Sequence, residues 1–160
     1  MDPLSILGLI LGIPNLLLVA LSQLAFWQRK EYRLDRALST LRDQESSYKE
    51  ILVLSPLVVL LFGDLLKLPI LGIVSHLLIL SYYLPRTLKL GLYRPKWTSK
   101  AILLTFLLVI VISLYLPFMF ATPTNLAIRL AALVILVFPL TPILVVITNI
   151  MTNPKKMLVI

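Results

Sequence analysis

A chain of 160 residues, 59% of them hydrophobic and with a mean hydropathy of +0.99, carries more apolar surface than a water-soluble fold of its size can bury. Its net charge of +8 and isoelectric point near 10.0 would suit nucleic acid. The basic residues, however, sit at the ends of apolar segments rather than on one contiguous face, and no nucleic-acid partner is expected. The absence of cysteine excludes disulfides, thiolate metal sites and cysteine nucleophiles.

The apolar residues come in long blocks. No charged residue occurs in 101–120 or in 130–151, and each block is about the 20 residues needed to cross a hydrocarbon core of about 30 Å. The expected fold is all-α: a polytopic helical membrane bundle of about five spans, with one amphipathic cytoplasmic helix between spans one and two.

The first span is expected over residues 4–26. Met1-Asp2-Pro3 lacks the positive n-region of a cleavable signal, and the apolar stretch is too long for an h-region, so this segment is expected to stay in the membrane. Gly8 and Gly12 share a helix face and allow close backbone approach, within the bundle or between copies. Pro14 is expected to kink the helix. Trp27, Gln28, Arg29 and Lys30 end the segment as an interfacial anchor.

Residues 27–50 form the long polar segment, with six basic and five acidic side chains. Trp27, Leu34, Leu41 and Tyr48 recur every seven residues with Leu38 on the same side, while Arg29, Arg33 and Arg36 gather opposite. That pattern predicts an amphipathic helix in the interface or docked on a partner; a solvated connector is the plainer alternative.

A single helix over 51–84 would be about 51 Å long, well beyond the hydrocarbon thickness. Gly63-Asp64 and Lys67-Leu68-Pro69 offer a break, which predicts helices over 51–66 and 69–84 joined by a tight turn. Both are short for a span, so a thinned bilayer or a re-entrant hairpin stays open. The fourth span is expected over 101–120, an outer turn over 121–125, and the fifth span over 126–150. Pro139 and Pro142 should bend the last helix, which is tolerable where neighbours or threonine hydroxyls satisfy the freed carbonyls.

Five spans place the six basic residues of 27–50, the five of 85–100 and the two near the C-terminus on one side, leaving Lys67 and Arg129 opposite. The positive-inside rule then puts the N-terminus outside and the C-terminus in the cytoplasm, as a multi-pass protein of the inner or plasma membrane. Within 85–100, Arg86, Lys89, Arg94, Lys96 and Lys100 stand without an acid, and Tyr82, Tyr83, Tyr93 and Trp97 flank them. Such a loop suits anionic lipid headgroups, or serves simply as a topology signal. Arg29, Arg33, Arg36, Arg94, Lys96 and Lys100 are therefore the candidate lipid- or partner-contact residues.

Few reactive groups are present. Asp64, Lys67 and His76 are the candidate intramembrane polar residues. The spacing of three between Asp64 and Lys67 suits a local ion pair at a turn, and lone His76 suits a hydrogen-bonded packing role. Arg129 is expected to snorkel to the outer interface. The five glycines are scattered and form no phosphate-binding loop, and no serine or histidine constellation for nucleophilic catalysis is present. No catalytic residue, metal site or cofactor is expected in this chain.

Two stretches carry a resemblance: Lys30-Glu31-Tyr32-Arg33-Leu34-Asp35-Arg36 after the first span, and Arg94-Pro95-Lys96-Trp97-Thr98-Ser99-Lys100-Ala101 before a later one. They resemble the N-terminal membrane region of membrane-attached Mur ligase family proteins, relatives of the D-alanyl-D-alanine-adding ligase. In that family an ATP-dependent ligase domain follows the last span, opening with a glycine-rich phosphate loop that this chain lacks. The resemblance thus implies a non-catalytic anchor or scaffold for cell-wall precursor synthesis, with the lipid bilayer, anionic headgroups and cell-wall synthesis proteins as partners. A fused or missing ligase domain stays open. The competing class is a small transporter or flippase-like subunit using the hairpin of 51–84.

Overall fold

The computed structural model describes residues 3–29, 33–43, 54–89, 96–120 and 125–155. They form six α-helices: α1 (Pro3–Arg29), α2 (Leu34–Asp43), α3 (Leu54–Leu66), α4 (Pro69–Lys89), α5 (Ser99–Phe120) and α6 (Leu126–Thr152). Among the described residues there is no strand. Among the described residues, three helices are long and apolar enough to cross a membrane: α1, α5 and α6. The apolar part of α4, Pro69–Pro85, is shorter, and the 13 residues of α3 reach only about 20 Å.

The polarity of the bundle is inverted relative to a water-soluble protein. Leu65, Leu88, Leu114 and Leu61 are among the most exposed side chains, whereas Asn15, His76 and Thr148 are fully buried. A surface of this kind fits a membrane-embedded protein, because lipid rather than water meets the outward leucines.

Helix α6 is the hub, contacting each of the other five helices. It is apolar all round, as a helix enclosed by neighbours must be. Nearly every residue from Leu126 to Val134 is buried, and only Arg129 among them is half-exposed. Helix α1 meets it through a stripe of small and polar residues, Ser5, Gly8, Gly12, Asn15, Val19 and Ser22, spaced alternately three and four apart. Leu7, Ile10, Leu17 and Leu21 lie outward on the same helix.

The closest approach is at the first turn of α6. A Cβ added to Gly8 would overlap Ala127, and one added to Gly72 of α4 would lie 2.5 Å from the Ala127 carbonyl carbon and the Ile128 nitrogen. Gly12 faces Leu130 and His76, and Gly63 of α3 faces the Ile128 side chain. The glycine face of α1 is thus spent within the bundle. Farther along, Tyr83 of α4 stacks edge-on against Phe138, so α4 runs parallel to α6. The end of α3 meets the start of α6, whereas α5 begins beside the far end of α6.

The break between α3 and α4 is a Schellman cap. Leu68 N–H donates to the Gly63 carbonyl (3.2 Å) and Lys67 N–H to that of Asp64 (3.3 Å). Lys67 takes the left-handed conformation at φ 50°, and Pro69 opens α4, where its missing N–H is harmless. Helix α5 is capped by Thr98, whose hydroxyl accepts the Ala101 N–H at 3.3 Å.

Three expectations are corrected. Trp27 belongs to α1 and is 1% exposed, in a core cluster with Val19, Tyr83 and Leu144, so it is no interfacial anchor; Trp97 is the exposed tryptophan. The helix expected over 27–50 is instead the end of α1 plus the ten residues of α2, with Arg33 outside either helix; residues 30–32 and 44–50 lie outside the described ones. On α2 the buried residue is Ala37, small enough for close packing on α6, while Leu38 is 41% exposed. Last, the Thr141 hydroxyl donates to the Val137 carbonyl at 2.7 Å. That carbonyl is the one its own amide addresses in an α-helix; Pro139 and Pro142 free those of Ile135 and Phe138 instead.

These contacts order the glycine sites. Gly72→Ala meets backbone, which cannot yield, and should cost about 2–3 kcal/mol of overpacking. Gly63→Ala meets side chain only, nearest at the terminal δ carbon of Ile128, and should cost less. Thermal unfolding of both variants in the same detergent checks the order; equal losses would contradict it.

Candidate functional site

The described candidate residues divide between the two ends of the bundle and its interior. At one end lie the C-terminus of α1, helix α2, the start of α5 and the C-terminus of α6. Ala37 joins the same cluster as Trp27, Ala101, Leu144 and Val145, which places α2 there. The side-chain amide of Gln28 donates to the Lys96 carbonyl at 2.9 Å, tying the end of α1 to the approach to α5. Lys100 Nζ donates to Asn149 Oδ1 at 3.2 Å, tying α5 to α6, and the Asn149 amide donates in turn to the Val145 carbonyl at 2.9 Å.

Arg29, Arg33, Arg36 and Lys96 are exposed at this end. Lys100 is half-buried and engaged by Asn149, so it braces two helices as well as adding charge. Arg94 lies outside the described residues. The backbone carbonyl of Arg36 accepts the hydroxyls of Ser39 (3.0 Å) and Thr40 (2.7 Å), which keeps both hydroxyls on α2.

In the interior, His76 is fully buried. Its Nε2 lies 3.1 Å from the Ala127 carbonyl, which requires that nitrogen to carry the proton and donate. The Asn15 side-chain amide donates to the His76 carbonyl at 2.8 Å. One residue thus links α1, α4 and α6, with Gly12 leaving room for the imidazole edge. Among the described residues no group of three His, Cys, Asp or Glu side chains is arranged to hold a metal ion.

At the other end, Asp64 and Arg129 form an ion pair of 3.2 Å, with 31% and 20% of their side chains exposed. This corrects two expectations. Asp64 pairs across helices with Arg129, not locally with Lys67, and Arg129 is held on α3 rather than reaching alone to an interface. The cause is the left-handed turn at Lys67, which ends the helical spacing that a local pair needs, while the first turn of α6 brings Arg129 alongside.

The chain matches no protein-family model, no curated protein and no solved structure.

Sequence reasoning missed Asn15, Gln28, Asn149 and Gly72 as ties between helices. The signal for Asn15 was its place in the alternating stripe of α1, where a carboxamide among small residues marks an interhelical hydrogen bond.

The ion pair yields a direct expectation. Asp64→Asn and Arg129→Gln should each lower stability, and the double variant should lose less than their sum. A coupling of about 1 kcal/mol suits a half-exposed pair. A double-mutant cycle on detergent unfolding reads it, and zero coupling would mean that the pair contributes nothing.

Proposed function

We propose that this chain is a non-catalytic membrane anchor that crosses the bilayer five times and presents a basic face at the cytoplasmic leaflet. The observation that carries the reading is the collection of Arg29, Arg33, Arg36, Lys96 and Lys100 at one end of the bundle, around the docked helix α2. Basic residues at that position attract anionic headgroups and fix the sidedness of the bundle. In this reading α1, α4 and α6 run inward and α3 and α5 outward, so the N-terminus is outside and the C-terminus cytoplasmic. The described part of α3 is short for a span, and local thinning of the bilayer would accommodate it.

The role in cell-wall precursor synthesis rests on the resemblance of 30–36 and 94–101 to the membrane region of Mur ligase family proteins. The partners on this reading are anionic lipid and cell-wall synthesis proteins, met by α2 and the segment that precedes α5. The transporter alternative would need ionisable groups in separate spans along a path. Here Asp64 and Arg129 neutralise each other at the opposite end, and His76 is enclosed by Gly12 and Ala127.

Sidedness provides one test. A reporter fused after Lys156 should be cytoplasmic and one after Lys67 external; an external reporter after Lys156 would sink the topology. For function, Arg33→Gln with Arg36→Gln should weaken retention of anionic lipid by the purified protein about thirtyfold, at about 1 kcal/mol per basic residue, and lower co-purification of cell-wall enzymes. Unchanged association would remove α2 from the contact face.

A further inference from the structure

Helices α1 and α5 both lie on α6 but touch each other little, and a lateral cleft of about 300 Å³ separates them. Ala20 and Leu24 form one wall, Leu104 and Leu108 the other, Thr141 of α6 lies at the floor, and Trp97 stands at the basic end. Two of the three hydroxyls that line it, those of Thr105 and Thr141, are bonded to backbone; the third is that of Ser113. Thr105 donates to the Ala101 carbonyl at 2.8 Å and Thr141 to that of Val137 at 2.7 Å, so the cleft is walled mainly by carbon.

We propose that this cleft holds one acyl chain of an anionic phospholipid, whose phosphate is met by Lys96 and Lys100. Two observations select that occupant. Two cations lie near this end without lining the cleft: exposed Lys96 adjoins Trp97 in the chain, and Lys100, which donates to Asn149, stands one turn before Leu104. A second copy docked symmetrically would bring these like charges together, whereas a phosphate neutralises them. Trp97 is 62% exposed and lines the mouth, where an amphipathic ring belongs between headgroup and hydrocarbon.

The inference rests on the membrane reading but not on the anchor role, and reporter sidedness checks the former separately. Loss of lipid with topology intact would therefore refute the cleft alone. The test uses the purified full chain in detergent, offered an equimolar mixture of phosphatidylglycerol and phosphatidylcholine and read by native mass spectrometry. The expected result is one retained phosphatidylglycerol per chain. Ala20→Phe and Val109→Phe, on opposite walls, should each abolish retention; Val109 is half-exposed, so its replacement leaves the core untouched. Lys96→Gln with Lys100→Gln should keep a lipid but reduce the preference for phosphatidylglycerol about tenfold. Retention that survives both phenylalanines, equal retention of the two lipids by the wild-type chain, or a dimer that dissociates when the cleft is filled would each overturn the proposal.

Discussion

The arrangement depends on one close approach, that of α1 and α4 to the backbone of α6 at Ala127. In lipid, apolar helices gain nothing by hiding from solvent, so they associate through van der Waals packing and hydrogen bonds. Gly8 and Gly72 supply the first by letting two helices reach the same turn. His76 and Asn15 supply the second, the imidazole bonding the Ala127 carbonyl and the carboxamide bonding the His76 carbonyl. A larger residue at either glycine would part the helices and break both bonds together.

From that turn the remaining helices find their places. The cap at Lys67 reverses the chain so that α3 and α4 both reach α6, and the Asp64–Arg129 pair holds α3 at the same end. At the far end the ties are polar, Gln28 to Lys96 and Lys100 to Asn149, and the exposed arginines gather around them. The ionisable groups of the interior thus serve packing, while the surplus positive charge is displayed on one face. The functional reading follows this division: the interior holds the shape, and the basic end meets lipid and partners.

The apolar helices, unlike α2, were legible in the amino-acid pattern because each depends on local signals. Uninterrupted apolar blocks mark α5 and α6, and Gly63, Lys67 and Pro69 mark the break between α3 and α4, which falls at Lys67–Leu68. Partnerships were not legible, because they are decided by tertiary packing. Asp64 has Lys67 three residues away, yet it bonds Arg129, 65 residues on. Trp27 resembles an anchor because Arg29 follows it, yet the inward face of α1 carries it into the core. In α2 the leucine spacing pointed to Leu34, Leu38 and Leu41; Leu34 and Leu41 are half-buried, but Leu38 is exposed and the close contact with α6 selects its smaller neighbour Ala37. Of the basic candidates, Arg29, Arg33, Arg36, Lys96 and Lys100 do share one end, as their places at segment ends suggested. The bracing of Lys100 by Asn149 had no local signal.

Because the chain has no cysteine, paired cysteines offer a clean test of whether α6 is the hub. Asp64→Cys with Arg129→Cys probes one end of α6, and Lys100→Cys with Asn149→Cys probes the other; a short bifunctional maleimide joins thiols that lie close. The account predicts efficient intramolecular cross-linking of both pairs in native membranes and none for the mixed pair Asp64→Cys with Asn149→Cys. Cross-linking of the mixed pair, or failure of both matched pairs, would contradict an α6 that receives α3 at its start and α5 at its end.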